Sequence, residues 1–223
     1  MADGPDLFSV LDRYIDDLFV AEDEALTGCV REARKAGLPE MQVSAGQGKL
    51  LYLLAKMVGA RRILEIGTLG GYSAIWLARA LPDDGRLVTL EAQARFAEVA
   101  AANLARAGLS GRVEVVAGSA VDTLPGVVDR ADAPFDLVFL DADKVNYGAY
   151  FAEVMRKVRS GSLILADNVI RKGTILAPRD DDPSAGAART FNAMIAADQR
   201  LEAIVLQQVG VKGHDGLAIA RVR

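Results

Sequence analysis

The chain has 223 residues, 51% hydrophobic and 25% charged, enough apolar mass for one globular core, which excludes a disordered chain. A formal net charge of −4, with Lys and Arg scattered among Asp and Glu, excludes the basic stripe of a nucleic-acid or anionic-membrane binder and predicts a small or neutral partner. One cysteine, Cys29, cannot close an internal disulfide, and the N-terminal sequence carries no signal pattern, nor is any apolar run long enough to span a bilayer. Together these predict a soluble protein of the reducing cytoplasm.

In chain order, three amphipathic segments (Leu7 to Leu18, Ala21 to Ala36, Gly48 to Val58) predict an all-helical preface over residues 1–60. From residue 61 the pattern changes to βα repetition. The runs Arg62 to Ile66, Leu87 to Leu90, Val113 to Val116, Leu137 to Leu140 and Leu163 to Ala166 are continuously apolar, as strands covered on both faces of a parallel sheet are. Between them Tyr72 to Leu81, Ala92 to Ala107, Ala120 to Arg130 and Tyr147 to Val158 carry helical spacing, with Gly108 and Gly161 placed as helix ends. A loop over Arg179 to Ser184 leads to a helix near Ala187 to Ala197. Two last runs, Ala203 to Gln207 and Leu217 to Ala220, are joined too closely for a crossover and predict an antiparallel pair. The fold class is α/β, in a single domain over 1–223 with its α/β core over 61–223.

The first strand runs into LEIGTLGGYSA, where glycines let the backbone approach a ligand at the carboxyl edge of the sheet. The spacing G-x-x-G-G is not the pyrophosphate fingerprint G-x-G-x-x-G, and Glu65 just before it would repel a pyrophosphate. Glu65 suits a cationic ligand group, or braces the turn from behind. Glu91 ends the second strand where such folds place an acid for ribose hydroxyls, so an adenosine without phosphates fits the pair. The competing readings are a tight turn with no ligand and a solvated strand end.

Asp141 closes the fourth strand and Asp167-Asn168 the fifth. If those strands are neighbours, two carboxylates and an amide oxygen converge on one edge, a donor set for Mg²⁺, with Ca²⁺ or Mn²⁺ also suited. Each acid alone reads as a solvated turn residue or a helix cap. Zinc is excluded because His214 and Cys29 cannot supply its nitrogen and sulfur shell. Lys144 is either an ion-pair partner of Asp143 or a general base, its own charge disfavoured beside a dication. His214, in GVKGHDG, reads as a turn residue, Trp76 as core or as packing beside a bound cofactor, and Cys29 as structural.

The segments MQVSAGQGKLL, LEIGTLGGYSA, VTLE, FDLVFLDADKVNY, ILADNVIRKG and HDGLAIAR, spread over roughly residues 40 to 221, resemble the cation-dependent O-methyltransferases that use S-adenosylmethionine. The resemblance implies a Rossmann-like seven-stranded sheet, mostly parallel with one antiparallel strand and helices on both faces, and a homodimer. It implies a cofactor site at Val43, Glu65, Gly67, Ser73, Glu91, Ala120 and Asp143 with Tyr72 alongside, metal ligands at Asp141, Asp167 and Asn168, and catalytic roles for Lys144 and Asp141. The expected acceptor is a catechol or another small vicinal diol. Arg171-Lys172 stands where plant caffeoyl-CoA enzymes carry Trp-Asn, which puts a CoA thioester in doubt. The preface and Thr174 to Ser184 are expected to shape the acceptor pocket. An adenosyl-binding protein without turnover and a nicotinamide oxidoreductase are the alternatives.

Overall fold

The continuous apolar runs become the middle of a sheet in the computed structural model, which describes residues 7–223. Strands β1 (Arg62–Ile66), β2 (Arg86–Glu91), β3 (Val113–Ala117), β4 (Phe135–Leu140), β5 (Val158–Ala166), β6 (Leu201–Gly210) and β7 (Gly213–Val222) lie in the order β3-β2-β1-β4-β5-β7-β6. The first five pair in parallel, while β7 runs antiparallel to both β5 and β6. Strand order reverses between β1 and β4, so a crevice opens at their carboxyl ends.

Helices α1 (Leu7–Phe19), α2 (Glu24–Lys35), α3 (Ala45–Met57), α4 (Tyr72–Ala80), α5 (Ala94–Arg106), α6 (Ala120–Arg130), α7 (Tyr147–Val154) and α8 (Pro183–Ala197) surround the sheet. Alternate strand residues feed opposite cores. Leu64, Val138 and Leu140 pack with Leu124, Phe151 and Phe191 from α6, α7 and α8. Ile63, Leu137 and Phe139 pack on the other face with Leu26, Leu51, Trp76 and Leu104 from α2 to α5. The preface helices α2 and α3 therefore share a core with the sheet. Each starts on a side-chain cap, Asp23 accepting from Leu26 N–H and Ser44 from Gln47 N–H. By contrast α1 buries none of its residues. No described helix is long and apolar enough to cross a membrane.

Three boundaries differ from the sequence expectation. Helix α7 ends at Val154 and β5 already starts at Val158, because Phe135 N–H bonds Lys157 O at 2.8 Å and pulls the chain into the sheet. Gly161 is no helix end: it lies inside β5 at φ +90°, where the register with β4 shifts and Ser162 Oγ donates to Phe135 O at 2.7 Å. The closing runs extend to ten residues each around Val211-Lys212, since a hairpin continues its ladder past the apolar positions that betray it.

Candidate active site

The turn after β1 can only be built with glycine. Gly67 sits at φ +103°, and a Cβ there would stand 2.0 Å from the Asp141 carbonyl oxygen, so β4 leaves the sheet pressed against it. The turn is then clamped from β2. Glu91 accepts from Leu69 N–H with Oε2 at 2.8 Å and from Gln93 N–H with Oε1 at 3.0 Å. Behind the turn, the Gly70 carbonyl accepts from Asn103 Nδ2 at 2.7 Å and from the Cys29 thiol at 3.2 Å. Burial pushes that thiol up to about 12, in keeping with a structural cysteine.

A cleft of about 560 Å³ opens over this turn. Gly67, Tyr72, Ser73 and Glu91 form one side; Val43 and Ala120 close it; Asp141, Asp143, Lys144 and Asn168 face them. The expected cofactor residues therefore converge, with one exception. Glu65 is fully buried behind the turn, accepting from the Thr89 hydroxyl at 2.6 Å, which in turn meets Thr68 Oγ1 at 2.5 Å. Of the two readings of Glu65, the structure places it as the brace and not on the cleft wall. Burial, against the pull of the Ser73 and Thr89 hydroxyls, pushes its carboxyl up to about 7.

Strands β4 and β5 are neighbours, paired through Leu140 and Ala166, so Asp141 and Asp167 leave the same edge side by side. Asp167 N–H bonds Leu140 O at 2.9 Å, and Asn168 follows with a left-handed backbone at φ +53°. Both carboxyls are pushed up, each first by burial; Asp167 reaches about 7 with the charge of Asp141 adding to it, while Lys144 pulls Asp141 back. Among the described residues no three His, Cys, Asp or Glu gather as a cage. The set is two carboxylates and an amide. A buried Asp167 carboxylate and a partly exposed Asp141 carboxylate repelling each other beside one amide oxygen fit a hard divalent cation, whose charge would offset the repulsion.

Lys144 is only 6% exposed and pairs with Asp141, not with Asp143. Its Nζ donates to Tyr147 Oη at 2.7 Å, to Ala142 O at 2.9 Å and to Asp141 Oδ1 at 3.4 Å. Asp143 instead accepts from Tyr150 Oη at 2.6 Å and from Asn146 Nδ2. Tyr147 and Tyr150 are direct partners of these side chains that sequence reasoning missed. Their signal is proximity in the chain: Lys144 opens a 3-10 turn that leads straight into α7, whose first turn carries Tyr147 and Tyr150. Tyr72 lines the cleft with its ring while its hydroxyl donates to Glu22 at 2.6 Å.

A second cavity of about 400 Å³ adjoins this one across Asn168. Asp167 forms part of its lining, and α1, the start of α3 and the β6–β7 hairpin make its walls. Of the stretch Thr174 to Ser184, only Ser184 reaches the cleft, so the preface and the hairpin shape this side instead. Arg171 also lines the cleft; its N–H and that of Ile170 both bond Asp215 Oδ1, at 2.9 and 3.0 Å. His214 stays out of both cavities, its ring meeting Gln207 on the hairpin.

Comparison with known proteins places this geometry in context. Residues 17–222 match a family profile described as O-methyltransferase. A protein named catechol O-methyltransferase from Niastella koreensis is 48% identical over 217 residues, 97% of this chain and 98% of that one. Its namesake from Mycobacterium tuberculosis is 51% identical over 213 residues, 96% and 95% of the two chains. The O-methyltransferase of Bacillus cereus, solved in complex with SAH, superposes with a TM-score of 0.94 at 44% identity, covering 97% of this chain and 98% of that one. TomG of Streptomyces achromogenes, an O-methyltransferase solved with SAM, gives 0.92 at 47% identity and 96% of both chains.

Proposed function

The chain belongs to the O-methyltransferase family, and on that premise we propose that it moves a methyl group from S-adenosylmethionine to a hydroxyl of a catechol-like or other vicinal-diol small molecule, assisted by a divalent cation. The observation that carries the reading is the shared edge of β4 and β5. There Asp141, Asp167 and Asn168 meet within reach of the buried Lys144, beside a cleft sized for a nucleoside.

In this reading Gly67, Tyr72, Ser73 and Glu91 hold the adenosyl part from one side, with Val43, Ala120 and Asp143 closing on it. Glu91 keeps a free lone pair on each oxygen for a ribose hydroxyl, since each accepts one turn N–H. Glu65 contributes through the turn that it braces. Asp141, Asp167 and Asn168 hold the cation, Mg²⁺ by donor chemistry. When bound, the cofactor supplies an activated methyl group and the cation lowers the acidity threshold of a chelated hydroxyl.

The remaining work is proton handling at Lys144 Nζ. Three contacts hold this nitrogen in place, to Asp141 Oδ1, Ala142 O and Tyr147 Oη. The 3.4 Å contact to Asp141 is the longest of the three, and it is the one that Asp141 would give up in holding a cation. Tyr147, buried beneath, shares its single hydroxyl proton between Leu140 O and Asp167 O and accepts from Lys144 Nζ, which keeps the amine aimed.

Methyl transfer from labelled S-adenosylmethionine to a catechol panel, with and without EDTA, tests the proposal. Activity should disappear with the chelator and return with Mg²⁺. Lys144→Ala should lower kcat by about a hundredfold or more while leaving cofactor affinity near that of the parent. Chelator-resistant turnover would sink the metal role, and a fully active Lys144→Ala would sink the base.

A further inference from the structure

A third cavity, of about 520 Å³, lies at the amino ends of β1, β2 and β3, the end of the sheet opposite the cofactor cleft. From Arg86 to Glu91, β2 advances five steps of about 3.3 Å, so the two spaces are separate. The floor of this cavity is apolar. On this face α6 packs over the carboxyl half of the strands, through Leu124 against Ile66 and Leu90, and it stops at Arg130. Val88 is thereby left only half-buried in the middle of a parallel sheet, beside Val127 and Phe135.

The rim is cationic in a chain that is acidic overall. Arg61, Arg62, Arg86, Arg112 and Arg130 line it against three carboxylates. Those three are taken. Arg62 forms a two-pronged pair with Asp132 at 2.8 and 2.9 Å, Arg130 a like pair with Glu114 at 2.7 and 3.1 Å, and Arg61 pairs with Asp84. The last turn of α6 brings the negative end of its dipole here, and Arg130 answers it. Arg86 and Arg112 are left over. Among the described residues Arg86 has no carboxylate partner; its Nη1 donates to the Gly85 carbonyl at 2.8 Å. Arg112 reaches only Asp83, which is fully exposed and, at 3.8 Å, beyond hydrogen-bond distance. Strand pairing sharpens the surplus. Arg62 and Arg86 are register partners on neighbouring strands, and Arg112 precedes Val113, the partner of Leu87, so arginines stand in a row at the start of three adjacent strands. Like charges side by side across a sheet are destabilising, and a bound anion relieves them.

We propose that this cavity is a binding site for a phosphate-bearing small molecule with an apolar ring: the phosphate sits between the Arg86 and Arg112 guanidiniums, and the ring lies on Val88, Val127 and Phe135. Planar guanidinium forks match phosphate oxygens in pairs, and the volume is that of a small-molecule pocket, larger than a single ion requires. The site stands apart from methyl transfer and makes no use of the cofactor cleft, so both can be filled at once.

Calorimetric titration of the full chain with naphthyl phosphate, naphthol and inorganic phosphate, each with and without saturating S-adenosylhomocysteine, tests it. The aryl phosphate should bind once per chain, about tenfold or more tighter than either of its parts, and equally well when the cofactor cleft is filled. Its affinity should fall as ionic strength rises. Arg86→Glu and Arg112→Glu should each weaken it by about tenfold or more, and Arg86→Gln, a milder change at an exposed side chain, by less. None of the three variants should alter methyl transfer. Naphthol binding as tightly as its phosphate, loss of the aryl phosphate on adding S-adenosylhomocysteine, or an affinity unchanged in both Glu variants would overturn the inference. No measurable binding of the aryl phosphate by the parent protein would overturn it as well, and each of these results leaves the methyl-transfer reading standing.

Discussion

Glu65 shows how a residue legible as important was legible for two reasons at once. Its place before the glycines marked it, and only burial decided that it braces the turn. The brace has a cost that depends on pH. Its carboxyl, ordinarily near 4.5, holds its proton to about 7. Below 4.5 folded and unfolded chains are both protonated and nothing is lost. Between the two values the unfolded chain ionises first, so stability falls as pH rises, and above about 7 the full penalty of about 3 kcal/mol is in place. Glu65→Gln keeps an acceptor for Thr89 and removes the charge. The cofactor-free variant should therefore melt above the parent at about pH 8, with the gap closing toward pH 4.5; a variant that melts lower at the higher pH would show that the charge is welcome there. Lys144 was equally ambiguous, since spacing allowed Asp143 as partner and the fold chose Asp141.

Elements carry the geometry that residues use. The turn between β1 and α4 touches β4 where Gly67 meets the Asp141 carbonyl, so a change in one displaces the other. Gly67→Ala adds a Cβ at 2.0 Å from that oxygen on a backbone at φ +103°. It should cost about 3 kcal/mol or more in stability, read by denaturant unfolding, and abolish cofactor binding by shifting Asp141 and Ala142 together. An Ala variant that unfolds and binds like the parent would mean the two turns are not in contact in solution. The five parallel strands were readable because continuous apolarity needs cover on both faces. The end of α7 was not, because the same apolar spacing continues through Val154 and Val158 while the chain has already joined β4.

At the scale of the whole molecule, α1 leaves an apolar side uncovered. Leu7, Phe8, Leu11, Tyr14, Leu18 and Phe19 are all exposed, Phe19 by 68%, on a helix whose other residues tether it to α3 and the hairpin. Such a face fits the homodimer that the family resemblance implies, and a second copy of the chain is its proposed cover. Light scattering should read twice the 23.7 kDa chain mass, and a Leu18→Glu, Phe19→Glu double variant should read it once; a parent protein of single mass would remove the dimer. The sequence by itself determined the α/β class, the order of the parallel strands' motifs and which acids end which strands, because strand cover, turn chemistry and helical period are local properties of the chain. Only the tertiary structure decided that β4 and β5 lie side by side so that Asp141 meets Asp167, that Glu65 points away from the cleft, and that α1 with Asp16 walls a second cavity. Those depend on pairing and packing between segments far apart in sequence, which no local spacing encodes.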